Sequence, residues 1–417
     1  MSTVSVATSG RFNGASIVPY AGTIFLSAFL LFLVQPIIAK QILPWFGGSS
    51  AVWTTALVFF QSVLLAGYAY ADLTTRIGLR RQTLLHIGLL AASLLTLPIL
   101  ASADWQPRGD EEPIVRILLL LAVTIGLPYF LLSSTTPLLQ SWYWQRFRSV
   151  VPYRLFALSN FASLLALLGF PFLLEPWFDL VELGWSWSIA YGIFVLICTA
   201  TAWNSLAAAR GSVEARPVSH TAAPTPSWLT QFTWLALAAM ASIMLLAVTN
   251  HVTQNIASVP FLWVMPLSIY LLSFILTFDH PRWYQRWFFI VALAVLAPLM
   301  AYMISSLELK LAVSIFFGGL FVACMFCHGE LASMKPDPRW LTRFYLMLSI
   351  GGALGAVLIA IVAPLVLRGY YEVNIALVLL TLTLSLRLRG VGRLLGIAIF
   401  AVTAFFAVQG AQEYAQG

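Results

Sequence analysis

Several polar side chains in this 417-residue chain interrupt segments that are otherwise apolar, and these residues are the most able to bind a solute. Gln35 stands beside Pro36 within the first apolar segment, and Lys40 ends that segment. A proline frees a backbone carbonyl inside a helix, and a lysine amine binds an anion or pairs with a carboxylate. We predict that Gln35 and Lys40 belong to a substrate-binding site. The alternative for Lys40 is an amine that extends to the lipid headgroups.

A second polar group ends the seventh apolar segment, at the position that corresponds to Lys40. It reads Asn-His-Val-Thr-Gln-Asn from Asn250 and has no formal charge at neutral pH. We predict that Asn250, His251 and Gln254 face the first group across a polar cavity that opens outward. His251 is able to bind a proton or a metal ion. The alternative is that this run is an uncharged outer loop.

A third set of residues, charged or titratable, lies at the opposite ends of the apolar segments. A carboxylate at a helix end and basic residues in a short loop can hold two helices together, so we predict a gate there. Its members are Asp72, Arg76, Arg80, Asp279, Arg282, His328 and Glu330. The alternative is the ordinary enrichment of basic residues in the loops on one side of a membrane.

The motif Cys324-Met-Phe-Cys327-His328 matches the attachment pattern of haem c. It ends an apolar segment on the side that the loop charges assign to the cytoplasm, whereas haem c is attached outside. We therefore predict no cofactor, no metal and no catalytic residue, with metal binding by these three side chains as the alternative. The polar run from Ser133 to Gln140 is interpreted as hydrogen bonding between helices.

The composition places most of these residues within a lipid bilayer. Hydrophobic residues make up 60% of the chain and charged residues 9%, against about 25% charged residues in soluble domains. Apolar segments of about 17–25 residues cross the hydrocarbon as helices. We predict an all-α polytopic membrane protein with about thirteen spans, at 20–40, 51–71, 83–101, 114–137, 154–174, 184–204, 228–248, 259–278, 287–305, 309–328, 343–366, 373–387 and 392–410.

The loop charges give an orientation. If residue 1 is cytoplasmic, seventeen of the 22 lysines and arginines fall in cytoplasmic segments. Most acidic residues, including Asp104 and Glu182, fall on the other side. This distribution predicts a multi-pass protein of a bacterial-type inner membrane with a cytoplasmic N-terminus. It also argues against nucleic acid as the reason for the net charge of +7.

The spans are predicted to form two similar halves. The second and eighth spans end at Asp72 and Asp279, and the fifth and eleventh open at Arg154 and Arg343. Corresponding spans run in the same direction, which is a parallel repeat like that of major-facilitator transporters. The segment after the second span also resembles a degenerate form of the loop pattern of those transporters. The predicted units are a cytoplasmic tail (1–19), a first six-helix half (20–204), a cytoplasmic linker (205–227), a second six-helix half (228–387) and an extra C-terminal helix with its tail (388–417).

Four longer segments occur in a recognisable order: 31–72, which begins LFLVQPIIAKQ; 134–142, STTPLLQSW; 251–279, which begins HVTQNIASVPF; and 327–356, which begins CHGELASMKPD. Together they resemble the membrane half of bacterial fused major-facilitator/spermidine-synthase-like proteins, over about residues 20–370. In that family an aminopropyltransferase-like Rossmann domain commonly follows. This sequence has no strand followed by a GxGxG run, so we do not expect it to make spermidine.

These features favour a transporter-like membrane protein that binds or moves a small polar solute. One alternative is a non-transporting scaffold for a separately encoded aminopropyltransferase-like enzyme. Another is a membrane redox protein that uses the Cys–Cys–His motif. In each case the expected surroundings are the lipid bilayer.

Overall fold

The computed structural model describes residues 17–47, 50–107, 113–147, 152–211, 224–256, 261–305, 309–367 and 369–416, and these ranges are helical with no strand. The helices are α1 (Val18–Phe46), α2 (Ser50–Thr74), α3 (Leu79–Ser93), α4 (Pro113–Phe147), α5 (Pro152–Gly169), α6 (Leu180–Gly211), α7 (Trp228–Ile256), α8 (Phe261–Asp279), α9 (Arg286–Tyr302), α10 (Leu309–Ser333), α11 (Pro338–Val366), α12 (Glu372–Arg387) and α13 (Val391–Gln416).

Each of the thirteen predicted spans overlaps one of these helices, so the predicted fold class is confirmed. Ten helices in the described ranges are long and apolar enough to cross a membrane, and α3, α8 and α12 are shorter. Helix α3 ends at Ser93, before the prediction of 101, because Pro98 cannot continue a helix. Helix α6 extends to Gly211, into the predicted linker. Residues 212–223 of that linker lie outside the described residues, as does the predicted tail up to residue 16, and residues 224–227 have no regular secondary structure.

The two halves repeat the same helix packing. In the first half α1 packs against α4, α5 and α6, and α2 packs against α4. In the second half α7 packs against α10, α11 and α12, and α8 packs against α10. Each of these contacts in the first half therefore has a counterpart six helices later in the second half, as a parallel repeat requires. Helix α13 lies outside the repeat and packs against α9 and α12.

The local helix geometry repeats as well. A π-helical turn at Phe170–Leu174 continues α5, and another at Leu358–Val362 interrupts α11. These turns are 188 residues apart in sequence, close to the spacing between Arg154 and Arg343. Small residues allow close packing elsewhere in α11. A Cβ added at Gly355 would lie 2.6 Å from the carbonyl oxygen of Ala239 in α7, so this glycine serves helix packing, as the sequence indicated.

Two helix pairs make the most extensive contacts between the halves. Helix α2 packs against α11, and α5 packs against α8. The two pairs are related by the repeat, because α2 corresponds to α8 and α5 corresponds to α11. All odd-numbered helices begin, and all even-numbered helices end, at one membrane face, which we call the basic face because most lysines and arginines flank it. The opposite face is called the acidic face.

Candidate functional site

The first connection between the halves is a buried ion pair at the basic face, which we call the first latch. Arg343 Nη2 at the start of α11 lies 2.8 Å from Asp72 Oδ2 at the end of α2. The hydroxyl of Thr342 donates a hydrogen bond of 3.0 Å to the other carboxylate oxygen. The guanidinium is not aligned for a hydrogen bond to Asp72 Oδ2, so the pair is held chiefly by charge. The Asp72 side chain is only 7% exposed.

The second latch is the symmetry-related pair on α5 and α8. Arg154 Nη2 lies 3.3 Å from Asp279 Oδ1. These side chains are 70% and 39% exposed, so water screens this pair more strongly than the first. The repeat noticed in the sequence therefore has a physical meaning: each half contributes one aspartate and one arginine to the joint with the other half.

An aromatic cluster fills the space between the latches. We call it the aromatic plug and define it as Tyr153, Phe156, Phe274, Phe278, Phe344 and Tyr345. The ring of Phe156 stacks on Tyr345 at 4.6 Å and lies edge-on to Phe274 at 5.5 Å. Of the hydrophobic clusters among the described residues, only this one contains core residues of both halves. The halves are thus closed against each other at the basic face.

Lys335 covers the plug from the basic face. Its amine lies 4.5 Å from the ring centroid of Phe278 and 5.4 Å from that of Tyr153. The Tyr153 hydroxyl donates a hydrogen bond to the carbonyl of Pro336 in the same connection. Burial lowers the pKa of Lys335 to about 8, against a smaller opposing effect of Asp279. Separation of the halves would hydrate this amine and let it take up a proton more readily.

A layer of neutral polar groups lies on the inner side of the plug. The Tyr345 hydroxyl of α11 donates a hydrogen bond of 2.9 Å to Gln140 Oε1 of α4, which joins the halves. The amide nitrogen of Gln140 is buried and has no hydrogen-bond partner. Tyr68 of α2 packs against the aromatic plug. The layer therefore offers neutral donors and acceptors where the two halves meet.

His328 lies beside the aromatic plug in the second half. Its Nδ1 is 2.8 Å from the hydroxyl of Ser273, and its ring stacks on Phe274 at 3.5 Å. Its Nε2 is buried without a hydrogen-bond partner. The preceding Cys324 and Cys327 are free thiols buried among apolar residues of α10. In the described part of the chain, no group of three or more histidine, cysteine or acidic side chains is placed to hold a metal ion.

Glu330 connects three helices of the second half. Its carboxylate lies 2.6 Å from Arg286 Nε of α9 and 2.8 Å from Arg387 Nε of α12, and it accepts a hydrogen bond from the Tyr284 hydroxyl. These contacts lie within one half and not between the halves. The other predicted gating residues, Arg76, Arg80 and Arg282, are exposed at the basic face. Their gating role stays a prediction.

The predicted outer group is divided between the halves. Gln35 of α1 donates to the Tyr129 hydroxyl at 3.4 Å, and the Lys40 amine pairs with Glu175 at 3.5 Å. In the second half Asn250 is half-buried, and the ring of His251 packs on Phe316 of α10 at 4.4 Å. The side chain of Gln254 lies outside the described residues.

The two predicted groups share a depth in the membrane. Lys40 and His251 each lie about 33–35 Å along their helices from the basic face, at 1.5 Å per residue. For Gln140, the interpretation of its polar run as hydrogen bonding between helices is confirmed by the bond from Tyr345. Nothing in the sequence marks Tyr345 as the partner.

Comparison with known proteins identifies the fold. No protein-family model and no curated protein matches the chain. Among solved structures, it is similar to the major facilitator superfamily proton:xylose symporter XylE bound to 6-bromo-6-deoxy-D-glucose. The TM-score is 0.55 at 12% identity, over 96% of this chain and 95% of that chain. This similarity shows that the chain has the major-facilitator fold.

The difference in burial between the latches gives a first prediction. In a double-mutant cycle with Asp72→Asn and Arg343→Gln, we expect a coupling energy of about 1–3 kcal/mol, because removal of one partner leaves the other charge in a poorly hydrated place. The cycle with Asp279→Asn and Arg154→Gln should give less than about 1 kcal/mol. Thermal unfolding of the full chain in one detergent measures both.

Arg81→Gln is the control, since Arg81 is an exposed arginine of the same face. It should leave the melting temperature within about 1 °C of the unmodified protein. Equal coupling in the two cycles, or stronger coupling in the second, would contradict the different burial of the two latches.

Proposed function

We propose that this protein is a transporter that moves a small, uncharged polar solute between the two faces of a membrane by alternating access. The observation that carries the proposal is the closure at the basic face, where two symmetry-related latches and the aromatic plug join the halves. Polar groups of both halves lie directly inside that closure. A transporter with a parallel repeat rocks one half against the other around such a site.

The described side chains favour an uncharged solute. Gln140, Tyr345, Tyr68 and the Gln35–Tyr129 pair supply neutral hydrogen-bonding groups. The buried carboxylates at the basic face, Asp72 and Glu330, are already paired with arginine, and the buried Glu372 lies at the start of α12, at the acidic face. A polyamine, the solute suggested by the family resemblance, is a cation that loses its hydration water on binding. It would need unpaired acidic groups in the site to offset that cost. Neutral polyols, sugars or amides fit these groups better.

The groups near the acidic face have a supporting role in this proposal. Lys40, Asn250, His251 and Gln254 are placed at the ends of α1 and α7, where a solute would enter when the basic face is closed. The Lys40–Glu175 ion pair is partly exposed, with side chains 36% and 45% accessible. It can therefore exchange its partner for a polar solute at little cost in free energy.

A second candidate role follows from the resemblance to fused spermidine-synthase-like proteins. The membrane half of that family is joined to a soluble enzyme, so this chain would serve as a scaffold for a separately encoded aminopropyltransferase-like partner. Such a partner would be retained on the purified full chain through washing at moderate salt. Loss of the partner under those conditions would remove this candidate.

Transport itself gives the second prediction. In proteoliposomes that contain the full chain, one or more neutral members of a panel of radiolabelled sugars, polyols, amino acids and polyamines should be taken up faster than into empty liposomes. Tyr345→Phe and Gln140→Leu should each weaken the affinity for that solute by about tenfold, the effect of one lost hydrogen bond of about 1.4 kcal/mol.

Arg81→Gln should transport as well as the unmodified chain. Uptake of none of the panel would contradict the transporter proposal. Uptake of polyamines alone would contradict the uncharged solute.

Orientation gives the third prediction. We propose that the basic face is cytoplasmic and the membrane is a bacterial inner membrane, because basic loops are retained on that side. Green fluorescent protein inserted within the 205–227 linker should fluoresce, and alkaline phosphatase inserted at the same place should be inactive. An active phosphatase at that place would reverse the orientation.

A further inference from the structure

A basic cavity lies on the flank of the second half, outside the candidate transport site. It has a volume of about 500 Å³ and opens at the basic face between α9, α10 and α12. Its polar lining consists of Arg286, Glu330, Ser333, Arg387 and Arg389, with Trp287 at its edge. The transport proposal uses none of these side chains except Glu330, for which it requires only that the carboxylate be paired.

The charges of this cavity do not balance. Glu330 is the one carboxylate in the lining, and both Arg286 and Arg387 bind it. The Glu330 side chain is 2% exposed, whereas those of Arg286 and Arg387 are 39% and 29% exposed. Each guanidinium binds the carboxylate through its Nε side, and Arg286 Nη2 also donates to the backbone carbonyl of Arg387. The remaining N–H donors of the two partly exposed guanidinium groups are directed to the opening. With Arg389 the lining carries three positive charges and one negative charge.

The turn that leads into the extra C-terminal helix positions Arg389. It lies between α12 and α13, where Gly390 adopts a φ of 57° and the chain reverses direction. Positive φ of this kind favours glycine. A Cβ at Gly396 would lie 2.8 Å from Ser385 Cα, so α13 packs closely on α12 directly after the reversal. Arg389 is exposed and makes no hydrogen bond or ion pair with the described residues.

The surroundings of the cavity match the depth of lipid headgroups. The Trp287 indole beside it is 60% exposed, and the neighbouring Leu386 and Leu394 are 66% and 68% exposed. Exposed indole rings at helix ends mark the boundary between headgroups and acyl chains. Three guanidinium groups with free N–H donors are suited to phosphate oxygens, which they bind through paired hydrogen bonds. Acyl chains attached to that phosphate could lie along the exposed leucines.

We propose that this cavity binds the phosphate of an anionic phospholipid, which places one lipid between α9, α12 and the start of α13. A bound phosphate would accept hydrogen bonds from the remaining N–H donors of Arg286 and Arg387 and pair with Arg389. Basic pockets between transmembrane helices at a cytoplasmic surface are suited to this role. Free inorganic phosphate shares the same chemistry but makes no use of the apolar wall.

Native mass spectrometry of the full chain tests the proposal. The probes are phosphatidylglycerol, phosphatidylcholine and inorganic phosphate, and the matched variants are Arg389→Gln and Arg393→Gln. Both arginines are exposed, and each substitution removes one positive charge near the same turn. Only Arg389 lines the cavity. We expect phosphatidylglycerol to stay bound through detergent exchange and its apparent affinity to fall about tenfold in Arg389→Gln.

In Arg393→Gln the affinity should change less than twofold, and phosphatidylcholine should bind at least tenfold more weakly than phosphatidylglycerol. Equal losses in the two variants would overturn the site, because they would reflect net charge alone. Displacement of phosphatidylglycerol by inorganic phosphate at millimolar concentration would overturn the lipid assignment in favour of a free anion. Melting temperatures of both variants near that of the unmodified chain exclude misfolding as the cause.

Discussion

A charge between transmembrane helices must find its partner within the protein, because lipid offers none and the cost of an unpaired charge is several kcal/mol. The buried carboxylates of Asp72 and Glu330 meet this constraint in two ways. Glu330 is paired within the second half and holds three of its helices together. Asp72 is paired across the boundary, by Arg343 of the other half. Separation of the halves therefore exposes Asp72 and Arg343, and water must reach both before they part.

The two latches are related by symmetry but differ in burial. The first is largely buried and is assisted by Thr342, whereas the second is open to water. The aromatic plug between them excludes water and so strengthens the more buried pair. Closure of the basic face is thus a combined effect of charge and apolar burial. Entry of water through the more exposed second latch would weaken both together, as the proposed alternating access requires.

Much of this arrangement can be predicted from the sequence, for identifiable reasons. Thirteen helices are predicted by apolar length, and the alternation of basic and acidic loops predicts their orientation in the membrane, which stays a prediction. The repeat is visible in Asp72 and Asp279 at two helix ends and in Arg154 and Arg343 at two helix starts. The sequence does not reveal that each aspartate pairs with the arginine of the other half, because that depends on which helices adjoin. It suggested instead a latch with the nearby Arg76 and Arg80. Contacts between residues distant in sequence, such as Gln140 and Tyr345, also cannot be predicted from a single sequence.

The central claim is that the latches hold the basic face closed while the acidic face is free to open. Distances between spin labels test it most directly, since the three native cysteines are buried. One label pair, at Arg81 and Gln285, reports on the basic face, and another, at Leu95 and Tyr302, reports on the acidic face; all four positions are exposed. With Asp72→Asn and Asp279→Asn combined, the account predicts a longer distance at the basic face and a shorter one at the acidic face. Unchanged distances, or lengthening at both faces together, would contradict it.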